Sequence, residues 1–268
     1  MNPLVKYLRT EMLPTIFCPG CGNGLILRCT VQALAELETF ENMAFVSGIV
    51  CSAYIPTYIH ADVAHTVHGR TLPVATGMKL AKPSLKLVVF TGDGDNLSIG
   101  GNHFIHAARR NIELTVIMVN NRIYGMTGGQ VSPTTPMEAK TPTTPFGGYE
   151  PPFDACKLAK HAGATFIARW AVTQPVNLKN SIKKALMHKG FSFIEVLSTC
   201  PTYMGRYVEG AATPIETFLN LRKQTVQVES LDTAVQNDTI PVGEFQNIQA
   251  PTLGDRLLRL NIAKGEKH

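Results

Sequence analysis

Charge is scarce in this chain. Asp, Glu, Lys and Arg make up 17% of its 268 residues, against about a quarter in an ordinary soluble domain. A lone monomer would carry more, so part of the surface is expected to lie against partner subunits. Basic residues are not clustered either. The net charge is +5, yet Lys and Arg never run longer than two together, as at Arg109-Arg110 and Lys183-Lys184. That argues against the basic stripe of a nucleic-acid binder. Long apolar runs are missing as well: stretches such as Leu114–Val119 are short, and none approaches the ~18 residues of a membrane helix. The N-terminus lacks the order of charged and apolar segments that marks a signal peptide. The chain is therefore expected to be cytoplasmic, with neither nucleic acid nor membrane as a partner. What remains is 44% apolar residues, enough for one large core at this length.

Short apolar runs alternate with helical spacing. Leu25, Leu27, Val31, Leu34 and Leu37 mark a helix, and Met43–Ser47 a strand ending at Gly48. Leu85–Thr91 is a stronger strand that stops at Gly92-Asp93-Gly94; a helix from about Ile99 to Arg110 and a buried strand, Leu114–Val119, follow. Phe166–Ala168, a helix near Val176–His188 and Ser192–Leu197 continue the alternation, which predicts a parallel sheet covered on both faces. Ser132–Pro152 holds six of the seventeen prolines. Such composition usually makes a solvated linker, but a long irregular loop within a domain is often functional. Residues 224–249 are polar with little periodicity, and Pro251–Leu260 reads as a short closing helix.

Six cysteines stand at 18, 21, 29, 51, 156 and 200. A cytoplasmic chain of this size does not use them as a disulfide framework. Cys18-Pro19-Gly20-Cys21 has a turn built into it and points to metal or redox chemistry. Gly92-Asp93-Gly94-Asp95 sits where a buried strand ends, the place where open parallel sheets bind ligands. Glycines there let the backbone approach a diphosphate, helix N–H groups supply donors, and Asp93 can hold a hard cation that bridges phosphate oxygens. Twenty-five residues separate Gly94 from Asn120-Asn121, where the next strand ends. Adjacent parallel strands would bring Asp93 and Asn121 onto one Mg²⁺.

With these motifs in order, the chain is identified as similar to a known family. Cys-Pro-Gly-Cys-Gly at 18–22, Gly-Ile-Val-Cys-Ser at 48–52, His-Thr-Val-His-Gly-Arg at 65–70, Gly-Asp-Gly-Asp at 92–95, Ile-Gly-Gly-Asn-His at 99–103 and Asn-Asn-Arg-Ile-Tyr-Gly-Met-Thr-Gly-Gly-Gln at 120–130 carry the likeness. Ser-Pro-Thr-Thr at 132–135 follows. The pattern resembles the β subunits of 2-oxoacid:ferredoxin oxidoreductases, nearest the 2-oxoglutarate branch, closely over about residues 10–205. The resemblance implies a doubly wound, mainly parallel α/β sheet of the thiamine diphosphate-binding, pyrophosphate-type fold. It also implies a catalytic domain over 1–210 and an irregular C-terminal extension over 211–268.

It further implies that Asp93, Asn121 and the carbonyl of Ile123 hold Mg²⁺. Thiamine diphosphate would lie against Ile49, Val50, Cys51, Ser52, His68, Gly92, Gly94, Asp95, Gly125, Met126 and Thr127. Cys18, Cys21, Cys51 and Cys200 would hold a [4Fe–4S] cluster. Four thiolates alone suit structural Zn²⁺ equally well, and only the thiamine motifs favour the cluster, because zinc cannot accept electrons. Cys29 and Cys156 are expected to be structural. The implied reaction is oxidative decarboxylation of 2-oxoglutarate, with pyruvate, branched-chain and aryl 2-oxoacids as alternatives. Coenzyme A takes the acyl group and ferredoxin the electrons. The implied partners are an α subunit, with or without γ and δ subunits, and a second αβ unit. A non-redox thiamine enzyme and a zinc-stapled assembly protein are the competing readings. Val50 and Gly128 depart from relatives that carry glycine and lysine there, and the second change leaves the residue that recognises the substrate carboxylate unassigned. No glutamate is placed to activate the aminopyrimidine, since Glu36, Glu38 and Glu41 close a helix; that carboxylate is expected from the partner.

Overall fold

In the computed structural model, residues 3–38, 41–235 and 239–265 are described, so the outer ends of the expected 1–210 and 211–268 units lie outside them. Apolar runs form β1 (Met43–Ser47), β2 (Asp62–His65), β3 (Lys86–Gly92), β4 (Leu114–Asn120), β5 (Phe166–Ala171) and β6 (Phe191–Leu197). The C-terminal extension adds β7 (Thr225–Gln227) and β8 (Ile240–Asn247). The helices are α1 (Asn23–Leu37), α2 (Thr71–Ala81), α3 (Gly101–Arg109), α4 (Ala155–Ala162), α5 (Pro175–Met187), α6 (Pro214–Lys223) and α7 (Leu253–Gly265).

The strands make one sheet in the order β2-β1-β3-β4-β6-β5-β8-β7. Every neighbouring pair is parallel except β5–β8. Helices cover both faces, which is why β4 and β6 are buried at every residue and read as unbroken apolar runs. Side chains alternate across the sheet. Phe45, Phe90 and Ile117 pack with Ile26, Leu34 and Ile182 from α1 and α5 on one face. Val46, Val89 and Met118 pack with Phe104, Ala108 and Ala159 from α3 and α4 on the other.

Two segments differ from the sequence reading. The helix expected from Ile99 is preceded by a π-helical turn, Gly94–Ile99, and α3 proper begins at Gly101; such wide turns are frequent at functional sites. The polar 224–249 segment supplies β7 and β8 at the sheet edge. An edge strand needs little apolar surface, so its register does not announce itself as alternation.

Candidate active site

Four parallel strands, β1, β3, β4 and β6, end on the same side of the sheet, and the loops after them enclose a cavity of about 500 Å³. Residues 49–52 follow β1, 92–94 close β3, 121 and 123–127 follow β4, and 198–203 follow β6. The Cys18–Cys21 turn and His68 complete the wall. The size suits a cofactor, and the position is where open α/β sheets bind ligands.

Every residue expected at the cofactor, the cation and the cluster lines this cavity except Asp95. The Asp95 carboxylate is occupied behind the wall. It accepts from the Gly69 N–H at 2.7 Å, Thr91 Oγ1 at 2.6 Å and Thr71 Oγ1 at 3.2 Å. His68 Nδ1 lies 2.9 Å from Asp95 Oδ1 and 3.1 Å from the Ile49 carbonyl. Both neighbours are acceptors, so Nδ1 carries the proton and Nε2 is the free ring nitrogen. Asp95 thus positions His68 and the loop at Gly69.

Asp93 differs from Asp95 although only two residues away. It is buried, and Ser132 Oγ (2.6 Å) and Thr134 Oγ1 (2.7 Å) both donate to its Oδ2. Burial pushes its pKa up against these hydrogen bonds; a carboxylate so placed calls for a cation. Thr134 also lies 2.9 Å from Asn120 Oδ1, and Asn120 Nδ2 donates to Glu195 Oε1 at 2.7 Å. Asn121 Oδ1 accepts from the Ile123 N–H at 3.2 Å. The Pro/Thr-rich segment is therefore no solvated linker at its start: Ser132 and Thr134 are wall supports. Those two residues, Asn120 and Tyr124 were not identified from the sequence as site residues. Hydroxyls and an amide signal nothing until their acceptor is known.

The thiols of Cys18, Cys21, Cys51 and Cys200 face the same cavity. Burial pushes Cys21 up to about 12 and Cys51 to about 11, and neighbouring thiols of the quartet add to both. Burial also raises Cys200, opposed by backbone N–H groups of Met204, Tyr203 and Thr202 that point at its sulfur. An Asn23 N–H does the same at Cys21. Beside Cys200, the hydroxyl of Ser198 is buried in the cavity wall without a partner. Among the described residues, no three His, Cys, Asp or Glu side chains converge closely enough to hold a single ion. Cys29 and Cys156 lie apart from the cavity, in the two cores. No glutamate, lysine or arginine lines the cavity among the described residues.

Residues 44–196 match the thiamine pyrophosphate enzyme family, C-terminal TPP-binding domain. The chain is 48% identical over 264 residues to the 2-oxoglutarate synthase subunit KorB of Methanocaldococcus jannaschii, covering 97% of both chains. It is 47% identical over 190 residues to the 2-oxoacid:ferredoxin oxidoreductase subunit beta of Saccharolobus solfataricus, covering 70% of this chain and 62% of that one. A solved 2-oxoglutarate:ferredoxin oxidoreductase from Magnetococcus marinus, with 2-oxoglutarate, coenzyme A and succinyl-CoA bound, superposes with a TM-score of 0.87 at 34% identity. That match covers 99% of this chain and 91% of the other. With the fold, the cavity and these likenesses in agreement, the chain belongs to the thiamine pyrophosphate-binding β-subunit family of the 2-oxoacid:ferredoxin oxidoreductases.

Proposed function

We propose that this chain is the catalytic β subunit of a cytoplasmic 2-oxoglutarate:ferredoxin oxidoreductase. The reaction is oxidative decarboxylation of 2-oxoglutarate with coenzyme A, giving succinyl-CoA, CO₂ and reduced ferredoxin. The observation that carries the reading is one cavity onto which Asp93, Asn121 and four thiols all open. No helix among the described residues is long and apolar enough to cross a membrane.

The residues fit the groups this function needs. Asp93, Asn121 and the Ile123 carbonyl would hold Mg²⁺, which takes one or two carboxylates together with phosphate oxygens. Cys18, Cys21, Cys51 and Cys200 would hold a [4Fe–4S] cluster. Backbone N–H groups aimed at Cys200 and Cys21 are the outer hydrogen bonds that such thiolates use. Zinc cannot accept electrons, so the thiamine motifs favour the cluster over a structural ion.

Thiamine diphosphate would supply the carbon nucleophile for decarboxylation, and the cluster would supply a one-electron acceptor. The chain's own residues do the positioning. Ser132 and Thr134 hold Asp93 Oδ2 and so set the orientation of the carboxylate. His68 presents Nε2 with its Nδ1 proton committed to Asp95 and Ile49. Ile49 and Met126 leave apolar surface at the cavity rim, 41% and 46% exposed, which suits cover by an α subunit. That partner would bring the activating carboxylate and a cation for the substrate carboxylates, and a second αβ unit would complete the assembly.

The test is anaerobic purification of the αβ complex and of this chain alone. The complex should be brown, with a broad absorption near ~400 nm that bleaches on reduction. It should turn over 2-oxoglutarate in preference to pyruvate, branched-chain or aryl 2-oxoacids. The chain alone should be inactive with coenzyme A and a viologen dye. Colourless protein holding one Zn²⁺ per chain overturns the redox reading.

A further inference from the structure

Arg122 lies between the two residues proposed to hold the cation, Asn121 and Ile123. Its backbone is left-handed, at φ 59°, a conformation that a long side chain seldom takes and that needs surrounding structure to hold it. Four contacts do so. The Arg122 N–H donates to Asn120 Oδ1 at 3.0 Å, and its carbonyl accepts from Thr135 Oγ1 at 2.7 Å. The guanidinium donates through Nη2 to Glu209 Oε1 at 2.5 Å and through Nη1 to Gln224 Oε1 at 3.1 Å.

The Arg122 and Glu209 side chains are 9% and 7% exposed, so both charges are desolvated. Glu209 Oε2 is buried without a hydrogen-bond partner. Glu209 also ends the π-helical turn Pro201–Val208 that Cys200 opens. The Gly205 N–H donates to the Cys200 carbonyl, and the Glu209 N–H donates to the Met204 carbonyl, each at 2.9 Å. The ion pair therefore joins the backbone between two cation ligands to the turn that carries the fourth thiol. A buried ion pair is a poor device for stability alone, because an apolar pair of similar volume does as well; its best-attested use is to specify geometry.

We infer that Arg122 and Glu209 form a strut that sets the cation ligands against Cys200, so that cofactor binding and the cluster's environment are coupled through it. The inference rests on the function proposed above. Both are positioning residues: neither lines the cavity. The left-handed turn at Arg122 sets Asn121 and Ile123 on either side of it, where both would hold one cation, and Glu209 holds that turn in place. When Mg²⁺ and thiamine diphosphate occupy their site, tightening there is passed through the guanidinium to residues 200–209.

The test uses the reconstituted complex as wild type, Glu209→Gln, and the double variant Arg122→Met with Glu209→Met, which leaves no buried charge unpaired. Calorimetry reads Mg²⁺-dependent thiamine diphosphate binding, and EPR reads the reduced cluster with and without that cofactor. In the wild type the cluster spectrum should change when the cofactor binds. In both variants affinity should fall roughly tenfold, as for other outer-shell residues, and the spectral change should vanish while iron per chain is kept. Variants that bind as tightly as wild type and keep the cofactor-induced change overturn the strut. A wild type without iron, or one that binds no thiamine diphosphate, overturns the proposed function and the coupling with it.

Discussion

A methyl group at position 94 tests how the cofactor cradle is built. A Cβ on Gly94 would lie 2.1 Å from Tyr124 Cε1, 2.3 Å from Cζ and 2.6 Å from Oη. Carbon atoms in contact sit about 3.5–4.0 Å apart, so the ring would have to retreat by more than about 1 Å. It is not free to do so. The Tyr124 hydroxyl is bonded to Ser98, its N–H donates to the Gln130 carbonyl at 3.0 Å, and its edge meets His68 with ring centres 6.2 Å apart. Overpacking of this kind costs about 1–3 kcal/mol. At roughly 2–4 °C per kcal/mol for a chain of this size, Gly94→Ala should lower Tm by roughly 2–12 °C. Tyr124 lines the cavity, so displacing its ring should weaken thiamine diphosphate binding as well. Tyr124→Leu tests the cause: with the ring gone, adding Gly94→Ala should cost little further melting temperature or binding. Scanning calorimetry and titration calorimetry with Mg²⁺ read both. A Gly94→Ala variant that melts and binds like wild type refutes the steric reasoning, and so does a double variant that melts as far below Tyr124→Leu as Gly94→Ala melts below wild type.

Two further outcomes can be measured directly. Cys200→Ser should lose the bound iron, whereas Cys156→Ser should keep it, because Cys156 is buried in the core with its thiol 3.4 Å from Glu195 Oε2; iron assays that rank them the other way reject the ligand set. Burial holds the His188 pKa below its ordinary value, against a hydrogen bond to Asn247 that raises it. The unfolded chain therefore binds that proton more readily near pH ~6.5, so the histidine's contribution is intact above that value and is lost as pH falls below it. Urea midpoints should rise from about pH 5.5 to 7 more steeply in wild type than in His188→Gln, and equal slopes would exclude this source.

What could be read of the fold followed burial. β3, β4 and β6 are legible because both faces of each are covered and the pattern becomes a continuous apolar run. β5 is visible only as Phe166–Ala168, since Arg169 interrupts the run. That arginine is nonetheless 3% exposed, because Glu195 and Asp154 pair with it. A buried ion pair looks like surface until both partners are placed. α2 is obscured by Thr71, Pro73 and Gly77, poor helix formers that tertiary packing on the sheet overrides.

The site divides along the same line. Residues expected to touch a ligand are named by the motif itself, as glycines at a strand end, paired thiols, an aspartate and an asparagine, and all of them line the cavity. The residues that hold them in place are not named by any motif. Asp93 and Asp95 are the same side chain two positions apart, on one turn, and nothing local distinguishes a cation ligand from a support. The distinction comes from elsewhere in the chain. Gly69 and Thr71, upstream, occupy Asp95; Ser132 and Thr134, downstream, occupy one oxygen of Asp93. Ser-Pro-Thr-Thr therefore supports the carboxylate proposed to hold the cation, although no atom of it need touch the cation. A hydroxyl in a proline-rich stretch ordinarily does no more than close a turn. It acquires a function only when the fold sets it against a carboxylate that the solvent no longer reaches.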